Sequence, residues 1–185
     1  IHSLDYPELA SLALPAARAY STIAPSAPHA LHMPSHIFTR LGLWGESIQS
    51  NLASAASARE HVTALHPGTT SFDELHALDY LEYAYLQLGQ DRNAAGVVAQ
   101  VAKVRQIDVP QFAAAYALTA VSARYALERR QWADAAKLTV APGTFPWERF
   151  PYAEALTHFA RGLGAARSGS LPVAREALAR LEAIQ

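Results

Sequence analysis

The sequence predicts an all-α chain built as a solenoid of antiparallel helix pairs. Three observations carry that prediction: a turn that recurs through the chain, apolar residues at helical spacing on either side of it, and the near absence of alternating or β-branched segments. The turn residues Gly42, Gly89, Arg130 and Gly169 are 47, 41 and 39 positions apart. Each follows an apolar segment and precedes a helix opening with small residues on its buried side: Trp44-Gly45-Glu46-Ser47, Asp91-Arg92-Asn93-Ala94, Trp132-Ala133-Asp134-Ala135 and Leu171-Pro172-Val173-Ala174. A glycine accepts the left-handed backbone that closes a helix. Asp5-Tyr6-Pro7-Glu8 reads as a fifth turn, 37 residues before Gly42.

Between the turns the periodicity is helical. Leu75, Leu78, Leu81, Tyr85 and Leu88 mark one face, and Val97, Val98, Val101 and Val104 mark another. The segment from Gln111 to Leu127 is rich in alanine, which favours helix and close packing. Pro25, Pro67, Pro110, Pro142 and Pro146 fall between the pairs, where the chain must leave a helix. About nine helices result, in a single helical-repeat domain over residues 1–185. The chain begins at Ile1 rather than Met and reads as a fragment whose first helix pair is truncated.

Composition narrows the function. Apolar residues make up 51% of the 185, and the formal charge is -1. No run of Lys or Arg offers the basic surface that nucleic acid requires, so no nucleic-acid partner is expected. No apolar run reaches the roughly 18 residues of a membrane span, so no membrane insertion is expected. The absence of cysteine excludes disulfides, thiolate metal sites and a cysteine nucleophile. It suits cytoplasm and periplasm alike, with the cytoplasm preferred for a soluble chain.

The richest stretch for chemistry is Pro28-His29-Ala30-Leu31-His32-Met33-Pro34-Ser35-His36-Ile37-Phe38. Three of the chain's eight histidines lie in it. His32 and His36 stand at i, i+4 and His76 and Asp79 at i, i+3, spacings that place two ligands on one helical face. Imidazole and carboxylate both suit transition metals. His32, His36, His76 and Asp79 are therefore a candidate set for a divalent transition metal, with His2 a further donor. Pro34 argues for a helix that starts there and leaves His29 and His32 in the entering loop.

Leu41-Gly42 with Trp44 and Ser47, Leu88-Gly89 with Ala94, Trp132 with Ala135, and Gly162 with Gly169 and Ala174 resemble tetratricopeptide repeats. The resemblance spans nearly the whole chain, although Arg130 replaces one turn glycine and the repeats exceed the usual length of about 34 residues. The His-Met-Pro-Ser-His-Ile-Phe segment also resembles bacterial tetratricopeptide-like proteins without an established activity. The family resemblance implies that groove-facing residues lie thirteen, ten, six and three positions before each turn residue. From Gly42 this gives His29, His32, His36 and Thr39. From Gly89 it gives His76, Asp79, Tyr83 and Leu86, and from Asp5 it gives His2. From Arg130 it gives Ala117, Ala120, Arg124 and Leu127. From Gly169 it gives Leu156, Phe159, Leu163 and Ala166. Polar groups then crowd the N-terminal half of the groove.

The resemblance implies an interaction scaffold with a concave pocket for a peptide, a protein or a small ligand. Its candidate contacts are His2, His29, His32, His36, His76, Asp79, Tyr83 and Arg124. Unperturbed histidines charge near pH 6.5, so an acidic peptide end would bind more tightly as pH falls. The alternative is a metal-binding or metal-dependent protein using the same pocket. A third reading has the histidines bonded to each other, to Asp79, to Tyr83 and to loop carbonyls, pinning the proline-rich connection. Phosphate-loop, dinucleotide, hydrolase-elbow and His-Glu-x-x-His motifs are absent, and no catalytic residue is assigned. Ser35 beside His36 and a neutral histidine beside Asp79 are the nearest approach to a nucleophile and a base. An open end of the array offers a route to homo-oligomers.

Overall fold

The computed structural model describes all 185 residues. It is all-helical, with no named strand. The helices are α1 (Ala10–Tyr20), α2 (Pro28–His32), α3 (Pro34–Arg40), α4 (Trp44–Leu65), α5 (Phe72–Gln87), α6 (Asp91–Val101), α7 (Phe112–Glu128), α8 (Trp132–Ala135), α9 (Pro151–Arg167) and α10 (Leu171–Ile184). None is long and apolar enough to cross a membrane.

The four turn positions share one backbone device. Gly42, Gly89, Arg130 and Gly169 have φ of 68°, 65°, 54° and 84°. In each case the next residue's N–H reaches back to a carbonyl five positions earlier. Leu43 donates to Phe38, Gln90 to Tyr85, Gln131 to Ala126 and Ser170 to Ala165, all at 2.8 Å. These are the long bonds of a Schellman close, which satisfies carbonyls that a helix end would otherwise leave unpaired. The chain reverses at each one. Thus α3 packs on α4, α5 on α6, α7 on α8 and α9 on α10, while α5 also packs on α7 and α7 on α9.

Helix starts are equally local. Ser71 caps α5 by accepting from the Asp73 N–H at 3.2 Å, and Asp108 accepts from the Phe72 N–H at 2.9 Å. Asp73 and Glu74 then sit in the positive first turn. Pro28, Pro34, Pro151 and Pro172 stand at first-turn positions, where a missing N–H costs nothing.

Two expectations need correction. Pro34 does not leave His29 and His32 in a loop. Both lie on α2, and Met33 joins α2 to α3 through helical dihedrals (φ -49°, ψ -37°). Pro34 opens α3, and the helical dihedrals of Met33 set α3 directly after α2. The third pair also departs from its siblings: α8 is a single turn, after which Thr139, Val140 and Pro142 turn the chain out of helix. That turn lies directly on α9 at Gly164. A β-carbon there would meet the Ala135 β-carbon and the Trp132 carbonyl oxygen at 2.6 Å each. Trp147, in the aromatic loop that follows, is buried against Phe145 and donates to the Pro142 carbonyl at 2.9 Å.

The apolar core falls into two clusters. The larger joins Leu75, Leu78 and Leu81 of α5 to Val97 and Val101 of α6, Leu118 and Val121 of α7, and Phe145 and Trp147. The smaller joins Ala10, Ala13 and Ala17 of α1 to Ile37 and Phe38 of α3. Between them lies a buried polar layer: His32, Ser35, Ser47, Asn51 and Ser54, none more than 1% exposed.

Gly164→Ala should be destabilising by about 1–3 kcal/mol despite alanine's better helix propensity, because the clash is with backbone. Arg130→Gly should stabilise by roughly 1 kcal/mol by removing a left-handed β-carbon from an exposed position. Urea unfolding midpoints measure both, and the two changes should have opposite signs.

Candidate functional site

Residues of α3, α5 and α7 line a concave pocket of about 480 Å³, with α5 packed on α7. Its lining includes His36, Thr39 and Arg40 from α3, His76, Asp79, Tyr80 and Tyr83 from α5, and Phe112, Tyr116 and Arg124 from α7, with Asp5 at the edge. The histidines enter because i, i+4 spacing stacks His32 over His36 through α2 and α3. His76 and Tyr80 repeat that spacing on α5.

Four aromatic rings interlock at the deep end. The His32 ring centroid lies 4.9 Å from His36, 4.3 Å from His76 and 4.8 Å from Tyr80. The Nε2 atoms of His32 and His36 are 3.1 Å apart. His32 Nδ1 faces the Asn51 Oδ1 at 2.7 Å, and the Asn51 amide nitrogen donates to the Ser47 carbonyl at 2.8 Å. His36 Nδ1 faces the Asp5 Oδ2 at 2.9 Å and the Tyr80 hydroxyl at 3.2 Å. Arg40 donates to the other Asp5 oxygen at 2.8 Å. Burial would raise Asp5, but hydrogen bonds from Arg40 and His36 outweigh it and hold the carboxyl below its ordinary range.

Burial sets the protonation of the histidines. It pushes His32 well below its ordinary value, helped by the charges that His76 and His36 would carry. It lowers His36 despite the hydrogen bond to Asp5. It takes His76 down to about 4 despite Asp79. The three imidazoles are therefore neutral at neutral pH, so any tightening of acidic ligands near pH 6.5 would not come from them. His29 is different. It is half-exposed, 3.7 Å from Asp73, and that carboxylate raises it against the opposing effect of burial.

Asp79 does not join the three histidines. Its Oδ1 accepts from Arg124 Nη2 at 2.7 Å, while Arg124 Nη1 donates to Glu82 at 2.6 Å and to the Asp79 carbonyl at 3.2 Å. Glu82 is 0% exposed, and burial pushes it up to about 7 against the pull of Arg124. Its second oxygen has no partner. For Arg124, burial lowers the guanidinium, but Asp79 and Glu82 together raise it above its ordinary value. The guanidinium also lies over the Tyr83 ring at 5.2 Å, and Tyr83 meets Trp44 edge-on at 5.5 Å.

The structure gathers His36, Thr39, His76, Asp79, Tyr83 and Arg124 around the pocket, with His32 beneath them. His2 is exposed at the rim, its ring 5.2 Å from His36. His29 is 6.1 Å from His32 and turned towards Asp73. Ala117 and Ala120 are buried below the pocket, and Phe112, Ala113 and Tyr116 line it instead. Ser35 is fully buried and its hydroxyl lies against His32 and Asn51, so it is not presented as a nucleophile. His61 and His66 are exposed, and His158 lies 3.3 Å from Glu154.

Sequence reasoning missed Asp5, Asn51, Tyr80 and Glu82. Tyr80 carried a signal, since it stands one turn after His76. Asn51 carried one too: it is polar, one turn after Ser47, on the small-residue face of α4. Asp5 lies 31 residues from His36 and had none.

These shifts predict how stability depends on pH. Below pH 6.5 the unfolded chain takes up protons at His32, His36 and His76 that the fold refuses, so their stabilisation is lost as pH falls. His76, at about 4 in the fold, accounts for roughly 2 kcal/mol of loss by pH 5. Glu82 acts oppositely. Between its ordinary 4.5 and about 7 the fold holds a proton that the unfolded chain has released, so it stabilises as pH falls through that window. It offsets about one histidine, which leaves a net loss on acidification. Urea unfolding of chelator-treated protein should show stability falling from pH 7 to pH 5, and falling more steeply in Glu82→Gln.

No family model, curated protein or solved structure matches this chain.

Proposed function

We propose that the chain is a tetratricopeptide-like scaffold, and that the pocket between α3, α5 and α7 binds a peptide segment or a small molecule. One observation carries this reading: three successive first helices, each ended by the same left-handed turn, project side chains into one concave pocket. Its volume of about 480 Å³ is in the range of small-ligand sites. Tyr80, Tyr83, Phe112 and Tyr116 supply aromatic contact area, which favours rigid side chains as anchors.

The two cations at the pocket, Arg40 and Arg124, are already paired with Asp5 and with Asp79 and Glu82. The pocket is therefore nearly neutral, and recognition relies on shape, aromatic contact and a few directed hydrogen bonds rather than on net charge. An uncharged or zwitterionic segment suits it better than a polyanion.

Peptides selected by display on the parent protein provide the test. Ala113→Trp places a large ring on the half-buried pocket wall, and Phe112→Ala removes an exposed aromatic contact. Fluorescence anisotropy should show affinity at least about tenfold weaker in Ala113→Trp and several-fold weaker in Phe112→Ala, a loss of roughly 1–2 kcal/mol. Tyr152→Ala, exposed far along the chain on α9, should bind as the parent does. Equal binding by parent and Ala113→Trp would place recognition elsewhere.

A further inference from the structure

The geometry points to a mononuclear site for a divalent late transition metal, zinc in the first instance, held by Nε2 of His32, Nε2 of His36 and a ring nitrogen of His76. The argument starts at Asn51. Its amide nitrogen donates to the Ser47 carbonyl, a group that only accepts, so the amide cannot be reversed and Oδ1 must face His32. That oxygen only accepts, so His32 carries its proton on Nδ1 and its lone pair on Nε2. The Asp5 carboxylate imposes the same tautomer on His36: Nδ1–H donates to Oδ2, and Nε2 carries the lone pair.

The two Nε2 atoms then face each other at 3.1 Å with no proton of their own between them. Two lone pairs that close repel unless a cation lies between them. Changing either tautomer would orphan Asn51 Oδ1 or turn a bare nitrogen toward a carboxylate. A shared proton would leave an imidazolium in a buried site, with a third imidazole alongside it to no purpose. A metal ion accounts for all three rings. Nitrogens bonded to one tetrahedral zinc at about 2.0–2.1 Å lie roughly 3.3 Å apart, close to the distance found. The donor atoms of His32, His36 and His76 all fall within 4.8 Å of one another.

The surroundings match what metal-binding histidines require. A ligating imidazole usually donates its other N–H to a carboxylate or carbonyl oxygen, which fixes ring and tautomer. Asp5 and Asn51 do this for His36 and His32. Three protein ligands leave a fourth position, and His36 and His76 both line the pocket. Asp79 is excluded from the set because Arg124 holds it. The second group of donors, His2, Asp5 and His36, shares His36, and its carboxylate already bonds both His36 and Arg40, so it does not make a separate site.

The inference goes beyond the binding reading, and the two can fail separately. Untagged full chain, stripped with chelator and dialysed, is titrated with zinc by calorimetry, and with cobalt while visible absorption is followed. One equivalent of zinc should bind, and cobalt should give the intense bands of low coordination. His76→Gln should weaken zinc at least 100-fold, Asn51→Leu about 10–100-fold, and His66→Gln not at all. Nitrogen-15 imidazole spectra of the unaltered protein avoid any question of variant folding. They should show His32 and His36 as Nδ1–H tautomers before zinc, and zinc should move the ring nitrogens of His32, His36 and His76 alone. Absence of one-to-one uptake by the folded parent, uptake retained in full by His76→Gln, or shifts confined to His61, His66 and His158 would overturn the site.

Discussion

Each first helix in this chain must stop at a chosen residue, because the phase of its side chains is counted from that stop. The bond from the residue after the left-handed position back to the carbonyl five earlier provides it, four times at 2.8 Å. If α3 ran one residue further before reversing, its inward face would rotate by about 100°, the angular step of a helix. His36 would then leave the pocket. The turn is local and cheap where glycine supplies it. At Arg130 the same geometry persists with a side chain that disfavours it, so packing of α7 against α5 and α9 holds the turn in place there.

The polar layer between the two apolar clusters is the most expensive part of the fold. Buried polar groups cost free energy unless they are paired, and half-satisfied networks are worse than none. Here His32, Asn51, Ser47 and Ser54 are tied to one another or to backbone, and the line continues through His36 to Asp5 and Arg40. An apolar residue at each of these positions would pack the α1–α3 cluster against the α5–α7 cluster more simply. The network orients both ring nitrogens of His32 and of His36.

Much of this was legible in the sequence, and the reason is periodicity. The turn positions and the paired helices follow from spacing, and the inward set His36, His76, Asp79, Tyr83 and Arg124 follows from the groove positions that the tetratricopeptide resemblance implies. What failed were features decided by tertiary packing. A helix does start at Pro34, but His29 and His32 lie on α2 rather than in an entering loop, because Met33 keeps helical dihedrals. The short α8 was hidden because its opening residues match those of its siblings. Asp79 was grouped with the histidines by i, i+3 spacing, while its partner Arg124 lies 45 residues away. Asp5 was likewise beyond the reach of any local rule.

The forked ion pair from Arg124 to Asp79 and Glu82 has a mechanical consequence. A planar guanidinium bonded to two acidic side chains one turn apart on α5 cannot slide along that helix without breaking both bonds. It therefore pins α7 to α5 in one register. The α5–α7 wall of the pocket is thereby fixed, so the proposed binding would need little ordering of that wall. In the proposed binding role such a pocket would discriminate by fit: a guest slightly too large would be refused or would break a buried, doubly bonded arginine.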